Sequence, residues 1–192
     1  MDKVELRRHL RSLRRALAPA TRTAFDLAIG RHLLTLLETA IPVTRPVALY
    51  APSGSEASPL ALPLPYPTAW PRVVSFEPPR LSFHLGTLDG LETTPHPRLK
   101  IREPSRDLPA VEPPDLGALV IPGLGFDDEL FRLGQGGGFY DTTLASLARW
   151  PNGPLRVGIA YGCQRVPHLP RAPHDEPVDV LVTEDGVWRP PG

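Results

Sequence analysis

The sequence has a single cysteine, no net charge and no long apolar run, and each absence excludes a class of protein. Cys163 stands alone among 192 residues, so an internal disulfide is excluded and a reducing compartment, the cytosol, is predicted. Basic and acidic residues number 21 each, which gives no electrostatic reason to expect nucleic acid or a membrane surface as a partner. No stretch approaches the ~20 apolar residues of a membrane helix, and the charged N-terminal segment lacks an apolar signal core.

The chain does contain enough apolar material for a folded core. Hydrophobic residues make up 41% of the sequence, which is a globular and not a disordered composition. The length favours one domain, covering residues 1–192. It is also sufficient to bury a core without covalent cross-links. Prolines number 26 and lie mostly between residues 42 and 114, so that region is predicted to consist of loops and short strands.

Apolar periodicity predicts helices that alternate with buried strands. Two amphipathic helices are predicted near the start of the chain, over residues 3–17 and 20–38. Strands are predicted over residues 47–50, 72–76, 80–85 and 118–121 and in PLRVGIAY and VDVLV, and a third helix in GFYDTTLASLARW. Because strands and helices alternate in the C-terminal half, we predict a single three-layer α/β domain with a mixed, mostly parallel sheet and helices on both faces.

A glycine-rich run, RLGQGGGFYD at residues 132–141, lies between a buried strand and a predicted helix. Glycine lets successive backbone N–H groups point into one concavity, and a helix N-terminus adds partial positive charge, so the arrangement suits a phosphate. Arg132 adds a planar fork of donors for phosphate oxygens. Asp141 adds a carboxylate of the kind that binds magnesium.

The common nucleotide-binding motifs do not fit this run. A Walker A loop needs a lysine after its last glycine, and none follows here. The dinucleotide fingerprint would need glycine where Phe139 stands, and the HRD and DFG motifs of protein kinases are absent from the sequence. From the run alone, a tightly turned loop without a ligand therefore stays open.

The longer stretch IPGLGFDDELFRLGQGGGFYD resembles the signature of the 5-formyltetrahydrofolate cyclo-ligase family, also called methenyltetrahydrofolate synthetases. That signature is P-G-x-x-F-D followed by R-L-G-x-G-x-G-[YF]-Y-D. Four further blocks are similar to the family in the same order: KVELR, LYAPSGSEAS, IREP and GIAYGCQRVPHLPRAPHDEPVDVLVTEDG. The resemblance covers nearly the whole chain.

The resemblance implies an ATP- and magnesium-dependent ring closure of 5-formyltetrahydrofolate to 5,10-methenyltetrahydrofolate, with release of ADP and phosphate. It implies catalytic roles for Arg132 and Tyr140 and magnesium near Asp141 and Asp175. The substrate-binding residues would be Ala51, Glu56, Gln135 and Phe139. The ATP-binding residues would be Lys3, Arg7, Arg132, Leu133, Gly134, Gln135, Gly136, Gly137, Gly138, Phe139 and Tyr140. The expected state is a monomer or small homo-oligomer.

Three departures from the family pattern keep other functions open. Leu130 replaces a glycine and would be strained if that position needs a positive φ, and Thr142 replaces an arginine. After Glu56 the family continues into a helix, which the prolines between residues 59 and 67 should abolish or shorten. A nucleotide-binding paralogue without activity, or an ATP-using enzyme for another N-formyl substrate, stays possible.

Plain structural roles are also possible for several of these side chains. Lys3 and Arg7 fit a solvated helix face, and Glu56 fits a cap or a solvent-exposed position. Asp175 fits an ordinary loop beside Pro177, and His174 is more typical of packing or hydrogen bonding than of a ligand.

Overall fold

The computed structural model describes residues 2–93, 101–150, 152–173 and 175–190. Its first two helices are α1 (Lys3–Ala16) and α2 (Pro19–Ala40), which confirms both predicted N-terminal helices. α1 starts with a capping box, in which Asp2 accepts the N–H groups of Val4 and Glu5 while Glu5 accepts that of Asp2. The predicted helix after the glycine run is α3 (Phe139–Leu147).

Thirteen strands occur in the described residues, most of them short. They are β1 (Val47–Ala48), β2 (Thr68–Phe76), β3 (Pro79–Leu85), β4 (Glu92–Thr93), β5 (Arg102–Glu103), β6 (Ala110–Val111), β7 (Ala118–Pro122), β8 (Gly125–Asp127), β9 (Arg132–Leu133), β10 (Leu155–Ile159), β11 (Arg165–Val166), β12 (Val180–Thr183) and β13 (Gly186–Trp188). Short 3-10 helices cover Leu88–Gly90, Pro113–Asp115 and Gly162–Gln164.

The main sheet has the strand order β13-β12-β10-β7-β1-β2-β3-β6. The five strands from β12 to β2 pair in parallel, and the outer pairs β12–β13, β2–β3 and β3–β6 are antiparallel. A three-stranded sheet, β11-β8-β9, and a β4–β5 pair lie outside it. The predicted mixed, mostly parallel sheet is confirmed.

Both faces of the central strands are buried, as a parallel sheet between helix layers requires. On one face Val120 and Val157 join a core that includes Ile29 and Leu33 of α2. On the other face Leu119, Ile121 and Leu181 join a core that includes Leu144 and Leu147 of α3. This alternation along each strand follows from its two-residue period, and it confirms the predicted three layers.

The proline-rich region differs from its predicted strands in two places. The strand predicted over residues 47–50 is limited to Val47–Ala48, whereas β2 starts at Thr68 and continues through Pro71. β1 pairs with β2 only up to Ala69. Beyond that point β1 does not run beside β2, so the N–H group that Pro71 lacks would have had no partner on that side. Between residues 51 and 67 there is no helix, as the prolines predict.

The helices formed by the described residues include none with the length and apolarity needed to cross a membrane.

Candidate active site

A cleft of about 850 Å³ opens beyond the carboxyl ends of β1 and β7, which are neighbours in the main sheet. From β1 the chain moves to β2 on one side, and from β7 it moves through α3 to β10 on the other. The cleft is therefore at a topological switch point, the place where open α/β sheets bind ligands. Tyr50 and Ala51 line it from the end of β1, and Pro122 and Gly123 line it from the end of β7.

The glycine loop, residues 134–138, connects β9 to α3 and forms one wall of the cleft. A Cβ atom on residue 134 would lie 2.5 Å from Nη1 of Arg132, so any larger residue here would have to displace this guanidinium. Gly136 has a φ of +105°, a conformation that L side chains rarely adopt. These glycines are thus required by the path of the loop.

Arg132 lies beneath the glycine loop with its side chain almost entirely buried. Its guanidinium forms an ion pair with Asp141, donates to the carbonyl of Pro122 at 3.2 Å, and lies 5.7 Å from the ring centre of Tyr140. Among the described residues, its Nε is one of two buried side-chain nitrogen or oxygen atoms without a hydrogen-bond partner. A guanidinium in a cleft wall is suited to an anionic ligand because of its charge.

Tyr140 and Phe139 begin α3 at the edge of the same cleft. Burial raises the pKa of the Tyr140 hydroxyl, an effect that outweighs the opposing influence of Arg132. The hydroxyl therefore stays protonated and can donate a hydrogen bond. Phe139 packs edge-on against Phe76, with ring centres 5.5 Å apart, which fixes the ring that it presents to the cleft.

Glu56 lines the cleft from the loop that follows β1. Its carboxylate accepts the N–H of Ser53 at 3.0 Å and the Nε2 of Gln135 at 3.2 Å. Gln135 in turn accepts a 2.8 Å hydrogen bond from Arg11. The glycine loop, the Glu56 loop and α1 therefore meet at one set of polar contacts.

Most of the predicted site residues line this cleft. They are Ala51, Glu56, Arg132, Gly134, Gln135, Gly136, Gly137, Gly138, Phe139, Tyr140 and Asp141. Arg7 lies just behind the loop and donates to the carbonyl of Gly134 at 2.9 Å. Leu133 points away from the cleft and packs with Leu6 and Leu10 in a small apolar cluster, so only its backbone belongs to the loop.

The predicted magnesium residues lie in different places. Asp141 lines the cleft beside Arg132, whereas Asp175 is not among the residues that line it and forms a 3.1 Å ion pair with Lys3. Across the described residues, no cluster of three or more His, Cys, Asp and Glu side chains could hold a metal. Magnesium commonly binds one or two carboxylates together with substrate phosphates, and Asp141 fits that arrangement. His174 falls outside the described residues.

Sequence reasoning missed a set of basic residues on α1. Arg11, Arg14 and Arg15 line the cleft, and Arg102 lines it from β5. The signal was available, because positions 7, 11, 14 and 15 fall on one face of a helix. In a helix rich in arginine, that spacing is hard to distinguish from an ordinary solvated face.

Fold and site together define an α/β protein with a glycine-loop cleft at a topological switch point, a class that binds phosphate-bearing ligands. The 5-formyltetrahydrofolate cyclo-ligase family model matches residues 1–184, so the chain belongs to that family and the resemblance in its motifs is confirmed.

Individual relatives agree with this assignment. The 5-formyltetrahydrofolate cyclo-ligase of Haemophilus influenzae is 32% identical over 187 residues, covering 93% of this chain and 96% of the relative. That of Escherichia coli K12 is 44% identical over 92 residues, which span 47% of this chain and about half, 50%, of the relative.

Two solved structures are similar to this fold. The 5,10-methenyltetrahydrofolate synthetase of Aquifex aeolicus has a TM-score of 0.79 and 32% identity, covering 98% of this chain and 93% of its own. That of Mycoplasma pneumoniae has a TM-score of 0.73 over 96% of this chain and 99% of its own, and at 24% identity it supports the fold alone.

Proposed function

We propose that this protein uses ATP to close the ring of 5-formyltetrahydrofolate, which gives 5,10-methenyltetrahydrofolate, ADP and inorganic phosphate. Family membership and relatives named 5-formyltetrahydrofolate cyclo-ligase support this reaction. The observation that carries the proposal is that the glycine loop with Arg132 and the loop with Glu56 form two walls of one cleft. A phosphate-binding wall and a carboxylate wall suit ATP and a pterin, respectively.

The proposed chemistry has two steps. The oxygen of the N5-formyl group attacks the γ-phosphorus of ATP, and the bond to ADP breaks. The formyl carbon is then an iminium that carries a phosphate ester. N10 attacks this carbon and loses its proton, and cleavage of the carbon–oxygen bond releases phosphate. The remaining amidinium is the methenyl bridge between N5 and N10.

The cleft residues have matching roles in this proposal. Arg132 and the amides of the glycine loop bind phosphoryl oxygens and stabilise the charge that develops on them, with Lys3 and Arg7 adding positive charge nearby. The Tyr140 hydroxyl donates a hydrogen bond to the reacting oxygen. Glu56 accepts N–H donors of the pterin, and Ala51, Gln135 and Phe139 complete the folate side of the cleft.

The proposal includes magnesium, held by Asp141 together with triphosphate oxygens, with Asp175 as a second candidate ligand. When bound, the ion neutralises charge on the triphosphate. In the described structure Asp141 is paired with Arg132, and so it also fixes the direction of that guanidinium.

The proposal also covers the number of domains, the cellular compartment and the partners. One sheet takes strands from Val47 to Trp188, which supports residues 1–192 as one domain. The single cysteine supports a reducing compartment such as the cytosol. Reduced folate and ATP would be the partners, without nucleic acid or membrane, for a monomer or small homo-oligomer.

Turnover is tested by following the absorbance of the methenyl product, with ATP or magnesium left out in turn. We expect product only in the complete mixture. Arg132→Ala should lower kcat/KM by roughly 100-fold or more, because it removes a charge that stabilises the phosphoryl group. Arg8→Ala, on the exposed side of α1, is the matched control and should retain activity.

A second candidate function has one observation in its favour. The loop that carries Glu56 has no helix between residues 51 and 67, where the family resemblance implies one. An ATP-using enzyme for another N-formyl substrate, or a paralogue that only binds ATP, would fit that change. Calorimetric binding of ATP without any methenyl product would favour this candidate.

A further inference from the structure

The loop that carries Glu56 is held in place by side chains from other parts of the chain. Ser58 donates its N–H at 2.9 Å to Asp26 of α2, and the same carboxylate oxygen accepts the hydroxyl of Tyr161 at 2.9 Å. The buried hydroxyl of Tyr50 donates to the carbonyl of Ala57. Because no helix supports residues 51–67, these contacts fix the loop instead.

Arg14 of α1 contacts this loop from a regular helix. Its side chain is only 6% exposed, its Nε donates to the hydroxyl of Ser55 at 3.1 Å, and its Nη1 lies 3.9 Å from Oε1 of Glu56. A guanidinium in so buried a position is costly unless it is paired. Burial lowers the pKa of Arg14, and the Glu56 carboxylate acts in the opposite direction.

The orientation of Glu56 depends on few donors. Ser53 and Gln135 hold it at 3.0 and 3.2 Å, but both belong to loops, and Gln135 is exposed. Arg14 is the contact that comes from a regular, capped helix. A rigid element is what holds a functional carboxylate in one geometry.

We propose that Arg14 is a positioning residue, which acts through Glu56 to set the affinity of the cleft for the formylated folate and leaves the affinity for ATP unchanged. This inference rests on the proposed function. The guanidinium lies 3.9 Å from one oxygen of the Glu56 carboxylate and limits the directions that the carboxylate can take. The Ser55 hydroxyl accepts a hydrogen bond from Arg14 and so holds the guanidinium in turn. Arg14 also lines the cleft, so a direct contact with the substrate is the competing explanation.

The test compares Arg14→Met, which keeps a long apolar side chain, with Arg8→Met on the exposed side of the same helix. We expect Arg14→Met to raise the KM for 5-formyltetrahydrofolate about tenfold and to leave the KM for ATP unchanged, because it loosens a charged hydrogen-bond acceptor. Arg8→Met should match the wild type. Ser55→Ala keeps the charge and removes one contact, so it should have a smaller effect in the same direction and answers the question if Arg14→Met does not fold.

A double-mutant cycle with Glu56→Gln separates positioning from direct contact. If Arg14 acts through Glu56, Arg14→Met or Ser55→Ala should have little further effect in the Glu56→Gln background. Full additivity, an unchanged KM for folate in the single variants, or an equal rise in the KM for ATP would overturn the inference. If the wild type shows no turnover, the proposed function fails. The same double-mutant cycle is then measured with calorimetric Kd values for 5-formyltetrahydrofolate. Absence of folate binding would overturn this inference as well.

Discussion

Leu130 shows how a single residue in this fold can keep an unfavourable backbone conformation. Its φ is 64°, in the region that favours glycine, yet its side chain is 2% exposed and packs in the core beside α3. Its N–H donates to the carbonyl of Asp127, and its own carbonyl accepts the N–H of Val178, so the turn cannot relax freely. Burial of the side chain outweighs the backbone strain.

Substitutions at Leu130 should therefore follow an unusual order of stability. Leu130→Gly loses about 2–4 kcal/mol of burial and regains about 1 kcal/mol of backbone strain. Leu130→Ala loses similar burial and keeps the strain, so the wild type should be most stable, glycine next and alanine least. Urea denaturation measures the order. An alanine variant as stable as the glycine variant would show that the turn is not strained.

The partly buried carboxylate of Asp26 should make the stability of the protein depend on pH. Burial raises its pKa above the usual 3.8, although Ser58 and Tyr161 act against this through hydrogen bonds. The folded state therefore binds more protons than the unfolded state between these two pKa values, and this residue's contribution to stability falls as the pH rises through that range.

Asp26→Asn should remove this dependence, because the amide oxygen can accept both hydrogen bonds that reach Oδ1 and carries no charge. The stability of the variant minus that of the wild type should grow between acidic and neutral pH, by no more than about 1 kcal/mol for a half-exposed group. Urea denaturation at several pH values measures this difference. A difference that shrinks with rising pH would contradict the assignment.

At the scale of elements, the path of the glycine loop predicts which substitutions it tolerates. Gly136→Ala places a side chain at a φ of +105°, so the loop must change shape although no atom obstructs the new Cβ closely. We expect ATP affinity to fall about tenfold by calorimetry, with the folding midpoint little changed, because the residue is exposed. Gly90→Ala, at a residue that does not line the cleft and has an ordinary φ, is the control. An unchanged ATP affinity would show that the glycine loop does not contact the nucleotide.

The elements also separate what the sequence could predict from what it could not. The two long helices and the strands around 118–121 and 155–159 were predicted closely. α1 has a strong helical periodicity, and residues 118–121 form an uninterrupted apolar run of the kind found in buried parallel strands. Two-residue strands such as β9 and β11 depend on tertiary pairing and have no periodic signal of their own. The glycine loop can be recognised in the sequence from its motif. Arg14 cannot be distinguished in the sequence from its exposed neighbours, because its burial results from the packing of α1 against the rest of the fold.

At the scale of the whole molecule, the switch point of the sheet brings distant segments into one cleft. α1, the loop after β1 and the glycine loop are separated along the chain, and they meet through Arg11, Gln135 and Glu56. We propose that, in this cleft, the γ-phosphoryl group of ATP is transferred to the formyl oxygen of the folate.

Labelling the formyl group of 5-formyltetrahydrofolate with oxygen-18 tests this transfer. If the formyl oxygen accepts the phosphoryl group, each methenyl product must release one phosphate that carries the label. Mass spectrometry of the released phosphate should therefore find one labelled oxygen per product formed. Unlabelled phosphate alongside methenyl product would contradict the account, because ATP would then be hydrolysed by water without activating the folate.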